Sequence, residues 1–397
     1  MTGNKLFRET AVLSVSTLSI LSSTAVSPAL AGIKDAFPGI PDATIQLVMA
    51  IPVFCIIPAC FICRPLVSRF GEKPVLLAGA SLYVIGGSGA ALMPTFGSML
   101  AFRALLGLAC GMTIPMAQIL ISSNFKGKER DNLTAYSASA SYLMGIAASY
   151  LVGQLAKRDW RLCFLVYLAA IVVIALNSQI HLNGPAEERK AKRKLKPSVR
   201  AWVSILVMAF VNLAFYAFTS SIALFMREEG LGDSGTSGIV MSLFMTSGFL
   251  MGLLVPSLNS RLGSLTKPLG FLLMGSGFLT LRFSYSTGMA VLSGLLTGAS
   301  YSVLYASGFS EIRELSRDRE ENTALITLMT AAMFAGQASS LYVLKGLEAV
   351  FHASGYRFRF MLLSLALMTA SALSALLAAR RRNEQRTIRQ SSGALRA

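Results

Sequence analysis

The chain has 397 residues, of which 54% are hydrophobic and only 14% are charged, and its mean hydropathy is +0.60. Soluble domains carry about a quarter charged residues, so this composition excludes an ordinary soluble protein and indicates a membrane protein. The net charge of +17 stands in short basic clusters between apolar runs, a pattern that disfavours a nucleic-acid partner and is typical of cytoplasmic loops.

Twelve apolar runs approach the roughly 20 residues that a helix needs to cross a bilayer. The first six predicted spans are 10–31, 44–63, 75–93, 97–122, 132–156 and 162–180. The second six are 199–226, 236–258, 268–286, 288–310, 322–344 and 359–379. Between the sets, residues 183–200 are too polar to cross and too charged to fold alone. The sequence therefore predicts an all-α polytopic membrane protein with an N-terminal six-helix bundle (1–182), a basic cytoplasmic linker (183–200), a C-terminal six-helix bundle (201–380) and a basic cytoplasmic tail (381–397).

The distribution of Lys and Arg predicts the orientation of these spans. The N-terminus, the linker, the tail and the loops on their side hold 26 of the 36 basic residues, and the opposite loops hold nine. Both termini are therefore expected in the cytoplasm, with the plasma membrane as the location. A basic N-terminus followed by an apolar run and the segment Ala29-Leu30-Ala31 also resembles a cleaved signal peptide, which would leave eleven spans.

The two halves repeat one another. At an offset of 192 residues, Thr44, Val48, Met49, Leu66, Ser68, Arg69 and Gly71 match Thr236, Val240, Met241, Leu258, Ser260, Arg261 and Gly263. A glycine between two helices permits a tight turn with positive φ, and basic residues keep such a loop in the cytoplasm. Several matches in order predict two copies of one six-helix unit.

Three motifs resemble those of the major facilitator superfamily. Its loop motif G-x-L-x-D-R-x-G-R-R reads RPLVSRFGEK over residues 64–73, its fourth-helix pattern R-x-x-x-G-x-x-x-G is present at Arg103, Gly107 and Gly111, and W-R-x-x-F begins at Trp160. The resemblance covers the whole chain. Within the superfamily, the chain is similar to a drug:proton antiporter with twelve spans. It implies two six-helix bundles related by a pseudo-two-fold axis, which transport a solute by alternating access.

The chain departs from the family pattern at two places. The loop aspartate is replaced by Ser68, and by Ser260 in the second half, so a weaker or different latch is expected there. The Gly-Pro of the antiporter motif in the fifth span is replaced by Ser149-Tyr150, which weakens an assignment to proton-coupled drug efflux. We expect the loop residues to gate conformational exchange rather than bind substrate; this set comprises Ser68, Arg69, Gly71, Lys73, Arg130, Ser260, Arg261 and Gly263.

Polar side chains inside the spans are the candidates for a substrate cavity. The resemblance implies that the first, fourth, seventh and tenth spans line it, and these spans carry polar stripes on one helical face. Alternatively, single hydroxyls bond to their own helix or pack between helices. The candidate cavity residues are Arg103, Ser23, Ser27, Gln118, Asn212, Tyr216, Tyr301, Tyr305 and Gln337.

Charge inside the spans is confined to Arg103. All 19 Asp and Glu lie in loops, tails or span ends, which disfavours a pump for lipophilic cations and favours neutral or anionic amphiphiles. A guanidinium inside a span costs about 2.5–3.5 kcal/mol on insertion scales. Arg103 either reaches outward to the surface, or bonds to carbonyls and hydroxyls of the first and fifth spans, or binds an anionic group of the substrate.

The predicted function is secondary active transport of a small amphipathic solute by efflux, with protons as the coupling ion. We expect a small-molecule substrate and the lipid bilayer as partners, a monomer, no cofactor and no metal site. An alternative is import of an organic anion or nutrient. Another class is a membrane enzyme or a non-transporting sensor, but an enzyme would need an acid, base or metal cluster inside the spans.

Overall fold

The computed structural model describes residues 2–24, 26–125, 127–180, 197–317 and 319–394. Most of the predicted linker lies outside these ranges, as do the side chains of Ser23, Gln118 and Arg130. Within them, the chain consists of α-helices and 3-10 turns joined by short loops, as the apolar runs predict.

The first half contains α1 (Thr2–Thr24), α2 (Leu30–Ala36), α3 (Asp42–Ile45), α4 (Leu47–Phe70), α5 (Glu72–Ser88), α6 (Phe96–Asn124), α7 (Gly127–Arg158) and α8 (Ala169–Ser178). The second half contains α9 (Val199–Glu228), α10 (Ser234–Leu262), α11 (Thr266–Arg282), α12 (Thr287–Leu315), α13 (Arg319–Val350) and α14 (Tyr356–Ala394). The 3-10 segments are Ser27–Ala29, Gly89–Leu92, Trp160–Leu168 and Gly263–Leu265.

The helices coincide with the predicted spans, and several of them, such as α7, α13 and α14, run past the span ends. By length and composition, eight segments of the described chain qualify as membrane spans, and one of them, Ser234–Arg282, contains both α10 and α11. The apolar part of α4 is shorter, at Leu47–Cys63. Helices exceed the apolar runs because their polar ends continue beyond the hydrocarbon, as in α14, which reaches Ala394.

Two predicted spans are irregular. The first is divided, since α1 ends at Thr24 and the turn Ser27–Ala29, which contains Pro28, leads into α2. Proline has no amide hydrogen to continue the helical ladder. The sixth begins with the 3-10 segment Trp160–Leu168 before α8. The prediction of continuous helices is wrong at these two places.

Successive long helices run in opposite directions because short loops join them. The start of α1 and the end of α14 therefore lie at one end of the molecule, which we call the terminal end. The opposite end, where α2 follows α1 and where α9 ends at Glu228, is the far end.

The internal duplication is confirmed by a repeated helix crossing. A Cβ added at Gly107 of α6 would collide with the carbonyl oxygen of Pro52 in α4. In the second half, a Cβ added at Gly298 of α12 would collide with the carbonyl oxygen of Phe244 in α10. Pro52 and Phe244 are 192 positions apart, the offset of the sequence repeat. Small residues allow helix backbones to approach closely in a membrane, and both halves use this device where these helices cross, with Gly111 against the Ile56 carbonyl as a second such contact in the first half.

Matching positions of the two halves touch at the far end. The Ser27 hydroxyl donates to the carbonyl of Thr219, and Asp35 forms an ion pair with Arg227 at 2.9 Å; the residues of each pair are 192 positions apart. Equivalent residues can meet only close to the axis that relates their halves, so the pseudo-two-fold axis passes between these pairs. We call this contact region the seam.

The loop glycines adopt the predicted backbone. Gly71 has a φ of +87° and Gly263 a φ of +54°, values that residues with a side chain rarely adopt. Among the described residues, Ser68 and Ser260 donate to carbonyls of their own helices, those of Pro65 at 3.0 Å and Ser257 at 2.9 Å. Neither serine therefore replaces the family's aspartate as a latch.

A different carboxylate is present beside the first loop. Glu72, the residue after Gly71, is almost fully buried and accepts a hydrogen bond from Asn124 Nδ2 at 3.4 Å. Arg8 Nη2 donates to Oδ1 of the same asparagine at 2.5 Å. The sequence gives no reason to place Glu72 inside the protein, and the prediction omitted it.

Candidate functional site

A cavity of about 280 Å³ lies between the two halves. Helices from both halves line it: α4, α6 and α7 from the first, and α9, α10, α12 and α13 from the second. The lining residues are Val53, Ile56, Ile114, Tyr142, Phe215, Phe244, Met245, Gly248, Gly298, Tyr301, Tyr305, Thr330, Met333, Phe334 and Gln337. None of these residues is charged. The cavity lies between the duplicated halves, which is where transporters of this architecture bind solute.

Three side chains form a polar cluster at one wall of the cavity. The Asn212 carbonyl oxygen accepts from Gln337 Nε2 at 2.9 Å and from the Tyr301 hydroxyl at 3.2 Å. Its amide nitrogen donates to the Met208 carbonyl at 2.9 Å, one turn earlier in α9. The buried Asn212 thus orients the two side chains that reach the cavity.

Gln337 has one polar atom left over. Its carbonyl oxygen is buried and has no hydrogen-bond partner among the described residues. Buried polar atoms normally have a partner, so an unused acceptor in a cavity wall is suited to a donor group of a ligand. The cluster can therefore accept a hydrogen bond from a solute without carrying charge.

Aromatic residues make up six of the 15 lining residues. Phe215 stacks on Tyr301 with 4.4 Å between the ring centroids, and the Tyr301 and Tyr305 centroids are 5.9 Å apart. The Phe215 and Phe244 rings lie 5.8 Å apart. A continuous aromatic face provides broad apolar contact for a flat or amphipathic molecule.

Arg103 lies outside this cavity, in a separate pocket of the N-terminal half. It is 0% exposed, so the alternative in which it reaches outward to the surface is wrong. Its Nε donates to the Val48 carbonyl at 2.7 Å, and its Nη1 donates to the Tyr167 hydroxyl at 2.7 Å. The guanidinium also faces the rings of Phe164 and Tyr167 at 5.9 and 5.5 Å. The predicted partners in the first and fifth spans are replaced by residues of the second and sixth.

Proline explains the first of these hydrogen bonds. In a regular helix the Val48 carbonyl would accept from the amide of residue 52, but residue 52 is proline and has no amide hydrogen. Arg103 Nε supplies the missing donor. Gly107, one turn further along α6, packs against the carbonyl of the same Pro52. Arg103 and Gly107 together hold α6 against a proline in α4.

Two other predicted cavity residues lie at the seam. The Ser27 hydroxyl is fully buried in its contact with Thr219. Tyr216 is 1% exposed, its hydroxyl has no partner among the described residues, and it lies within electrostatic reach of Arg103. Gln46 bridges the halves nearby by donating to the Ser220 carbonyl at 3.3 Å. These contacts close the far end above the cavity.

The predicted site residues therefore separate into groups. Tyr301, Tyr305 and Gln337 line the cavity, and Asn212 lies directly behind two of them. Arg103, Tyr216 and Ser27 do not line it, which corrects the predicted single cluster. The side chains of Ser23 and Gln118 lie outside the described part of the chain.

Sequence reasoning missed several lining residues. Tyr142 belongs to α7, a span that was not expected to line the cavity, and Thr330, Met333 and Phe334 belong to α13, of which only Gln337 was predicted. Phe215 was overlooked beside Tyr216, although it lies three positions after Asn212 and so shares its helical face. That spacing was the available signal.

Charged residues at the far end link the halves a second time. Lys157 at the end of α7 pairs with Asp233 before α10 at 3.3 Å. Burial raises the pKa of Asp233, but hydrogen bonds from the amide and hydroxyl of Thr236 and the charge of Lys157 outweigh it and hold the pKa below its usual value. Within the second half, Arg357 lowers the pKa of Glu229 by hydrogen bonding to both carboxylate oxygens.

Comparison with known proteins places these features in a family. The family model described as Major Facilitator Superfamily matches residues 12–270. The transport protein YwtG of Bacillus subtilis is 33% identical over 141 residues, which cover 33% of this chain and 30% of YwtG. The chain spans less than two thirds of the length of the curated relatives it matches.

Solved structures show the same fold at low identity. A POT family transporter in complex with 5-aminolevulinic acid superposes with a TM-score of 0.75 at 12% identity, covering 94% of this chain and 96% of that one. A bacterial homolog of the human lysosomal transporter Spinster, inward-facing and occupied, gives a TM-score of 0.71 at 17% identity, covering 95% and 97% of the two chains. Two six-helix bundles around a central cavity are thus an established arrangement.

Proposed function

Since this chain belongs to the major facilitator superfamily and is a secondary transporter rather than an enzyme, we propose that its cavity carries a small, neutral, amphipathic solute. We further propose that it exports the solute in exchange for protons across the plasma membrane. The N-terminal bundle (1–182) and the C-terminal bundle (201–380) are the two bodies that move against one another.

The observation that carries the proposal is the chemistry of the cavity wall. Its described lining has no charged side chain, and its polar atoms come from a glutamine, a threonine and tyrosines. Placing an ion against such a wall costs desolvation energy without a compensating partner. Arg103, the nearest candidate for an anion, is engaged with Val48 and Tyr167 and does not reach the cavity. A neutral molecule with one hydrogen-bond donor fits better than an organic anion.

Cavity size restricts the solute further. A volume of about 280 Å³ lies near the lower limit for sites that enclose small molecules. The stacked pair Phe215 and Tyr301 offers one flat face, and the unused Gln337 oxygen lies on the same side of the cavity. An aromatic or bicyclic solute with a single amide or hydroxyl donor satisfies these conditions.

The closed far end fits an exporter in the state that loads solute, and an importer passes through the same state when it releases solute. The basic residues favour cytoplasmic termini, which makes the terminal end cytoplasmic and the far end external. Asp35, Arg227, Lys157 and Asp233 seal the external side, so the solute enters this state from the cytoplasm. The similar Spinster homolog is inward-facing, and we propose the same conformation for this chain.

The proposal is tested by transport in proteoliposomes with an imposed pH gradient. We expect neutral aromatic amphiphiles to move in the direction opposite to proton flow. Permanently charged analogues of the same size should not be transported. Gln337→Leu removes the hydrogen bond to the solute and leaves the Asn212 oxygen with one donor, so we expect the KM to rise about five- to 100-fold with a smaller change in maximal rate. Gln179→Leu, at an exposed glutamine directly after α8, is the matched control and should leave the KM unchanged.

Three results would overturn parts of the proposal. Equal transport of charged and neutral analogues would contradict the neutral cavity. Accumulation of solute in the direction of proton flow would mean import. An unchanged KM for Gln337→Leu would place the binding site elsewhere.

A further inference from the structure

A second cleft lies within the C-terminal half at the terminal end, away from the cavity between the halves. Its volume is about 700 Å³, and it is bounded by the start of α9, the turn between α10 and α11, the end of α12 and the outer face of α14. We call it the headgroup cleft. Its apolar walls include Val203, Leu373 and Leu377, which are 55%, 61% and 49% exposed on the outer surface of the helices.

Charged residues of both signs line the same cleft. Arg200 and Lys267 carry two positive charges, and Glu311 and Glu314 carry two negative ones, so the formal sum is zero. Lys267 and Glu311 form an ion pair at 2.5 Å, and Ser204 donates to Glu311 at 3.1 Å. Arg200 and Glu314 are exposed, and no ion pair of either is described. One cation and one anion are therefore available to a ligand.

A buried hydroxyl in the cleft has no partner. Thr266, the first residue of α11, is 2% exposed, and its Oγ1 makes no hydrogen bond within the described part of the chain. Since buried hydroxyls are normally satisfied, this atom is suited to an acceptor oxygen delivered by a ligand. It is an observation independent of the charges.

The polar groups lie at the depth of lipid headgroups. Arg200 is the second residue of α9, Lys267 the second of α11, and Glu314 the last but one of α12. Helix ends of spans lie at the membrane–water boundary, while Val203 and Leu373, further along their helices, face the hydrocarbon. The headgroup cleft is thus polar at the boundary and apolar below it.

We propose that the headgroup cleft binds one zwitterionic aminophospholipid. Its phosphate contacts Arg200 and the Thr266 hydroxyl, its primary ammonium contacts Glu314, and an acyl chain lies against α9 and α14. A headgroup with one negative and one positive charge matches the free cation and the free anion of the cleft, whereas an anionic lipid would leave Glu314 without a counter-charge.

In the described part of the first half, Lys73 precedes Pro74 as Lys267 precedes Pro268, but its side chain is placed differently. Lys73, the counterpart of Lys267, donates to the carbonyl oxygens of Ser178 at 2.6 Å and Ile180 at 3.0 Å and closes the end of its own bundle. The headgroup cleft is therefore described in the second half alone. Binding of its ligand is independent of which solute is transported and in which direction.

The test is native mass spectrometry of the full chain released from nanodiscs that contain equal amounts of phosphatidylethanolamine, phosphatidylcholine and phosphatidylglycerol. We expect one phosphatidylethanolamine to be retained in preference to the others. Arg200→Gln, Glu314→Gln and Thr266→Val should each reduce this retention about two- to fivefold, the range for partly exposed ion pairs and single hydrogen bonds. Arg313→Gln removes an exposed charge from the same end of α12 without touching the cleft and should retain the lipid as the parent does.

Each alternative result contradicts the proposal in its own way. Preferential retention of phosphatidylglycerol would make the cleft an anionic-lipid site. Equal retention of the three lipids would show that the charges do not select a headgroup. Cross-linking of residues 183–196 to Arg200 or Glu314 with all lipids displaced would show that the chain's own linker occupies the cleft.

Discussion

At the scale of single residues, Arg103 joins three helical segments that a transporter has to keep in register. Its two hydrogen bonds connect α6 to the Val48 carbonyl of α4 and to Tyr167 before α8. The Val48 carbonyl is available because Pro52 lacks an amide hydrogen. The residue therefore supplies the hydrogen bond that Pro52 cannot, and among the described residues its charge meets a carbonyl dipole, a hydroxyl and two aromatic faces, while its Nη2 has no hydrogen-bond partner.

We predict that Arg103→Ala abolishes transport while expression stays largely intact. The change leaves the Val48 carbonyl and the Tyr167 hydroxyl without donors, at a cost of about 1–3 kcal/mol each, which the remaining packing of the bundle can absorb. Arg103→Lys should restore transport only in part, because an ammonium lacks the planar fork that reaches both partners. Solute uptake into proteoliposomes, normalised to the amount of folded protein, measures both effects.

A second substitution separates this role from substrate binding. Pro52→Ala returns an amide hydrogen to the Val48 carbonyl, so the loss of thermal stability caused by Arg103→Lys should be smaller in a Pro52→Ala background. Additive effects of the two substitutions would show that the carbonyl is not what Arg103 serves. Near-normal transport by Arg103→Ala would contradict the account altogether.

The polarity of residues inside apolar runs predicted the site better than their positions along the helices did. Asn212, Tyr301 and Gln337 were predicted from polarity inside apolar runs, and the structure brings them together. Tyr216 shares a helical face with Asn212 yet lies at the seam, because one turn of helix moves it about 5.4 Å closer to the far end. Sequence patterns predict which face of a helix a residue lies on. They do not predict how deep in the bundle the residue lies, or which side of a neighbouring helix that face contacts.

At the scale of elements, the two loop turns control how adjacent helices are joined. Gly71 and Gly263 both have positive φ, and neither turn contributes to the cavity lining. The expectation that these loops gate exchange between conformations remains a prediction, together with the roles of Arg69 and Arg261, which are exposed, and of Arg130, whose side chain lies outside the described part.

We predict that Gly71→Val and Gly263→Val lower the turnover rate several-fold and leave the affinity for solute nearly unchanged. A β-branched residue at positive φ is strained by about 1–3 kcal/mol and shifts the balance between conformations that use the turn differently. Transport rates and equilibrium binding of the same solute give the two quantities. Gly39→Val, in a far-end loop with open space around it and no positive φ, serves as the control; loss of binding in the turn variants would place these loops in the site.

The far-end salt bridge predicts a pH dependence with a definite sign. The pKa of Asp233 in the sealed state lies below its usual value, so its contribution to the seal is fully present above that value, about 3.9, and is lost as the pH falls through the lowered pKa. Acidification of the far-end solution below about pH 4 should therefore favour opening at that end. Labelling of a cysteine introduced at Ser27 with a dipyridyl disulfide, a reagent that still reacts with thiols in acid, measures the opening, because Ser27 is buried in the sealed state.

Two substitutions distinguish opening caused by loss of this salt bridge from acid denaturation of the protein. Asp233→Asn keeps a capping side chain before α10 but loses the charge facing Lys157, so labelling should be raised at neutral pH and should lose its acid response. Glu229→Gln breaks an ion pair inside one half and should not change labelling. An acid response that persists in Asp233→Asn would exclude this salt bridge as its origin.

The elements themselves were largely predictable, for physical reasons that also explain the exceptions. Apolar runs of sufficient length can only be helices in a membrane, since every backbone polar group must be satisfied within the segment. The breaks near Pro28 and at Trp160–Leu168 depend on how neighbouring helices pack, which composition does not encode. Glu72 was missed because a carboxylate after a loop glycine is normally solvated, whereas here Asn124 accompanies it into the bundle.

At the scale of the whole molecule, the repeat in the sequence becomes a symmetry of contacts. Ser27 meets Thr219 and Asp35 meets Arg227, each the counterpart of the other in the second half. A contact between equivalent positions can open symmetrically when the halves rock, so it suits a seal that must break in every cycle. The offset of 192 predicted the duplicated halves but not that these particular positions would touch.

The central claim is that the two halves move as bodies about the cavity, and two distances measured by electron spin resonance test it most directly. One label pair is placed at the terminal end on Ser68 and Ser260, and the other at the far end on Leu92 and Tyr285; all four residues are exposed. The five native cysteines, none of them in a disulfide, are replaced in a background that still transports solute. We predict that during turnover with the solute and a proton gradient the far-end distance gains a longer population while the terminal-end distance gains a shorter one. Distances that stay constant during measured transport, or that lengthen at both ends together, would contradict this account.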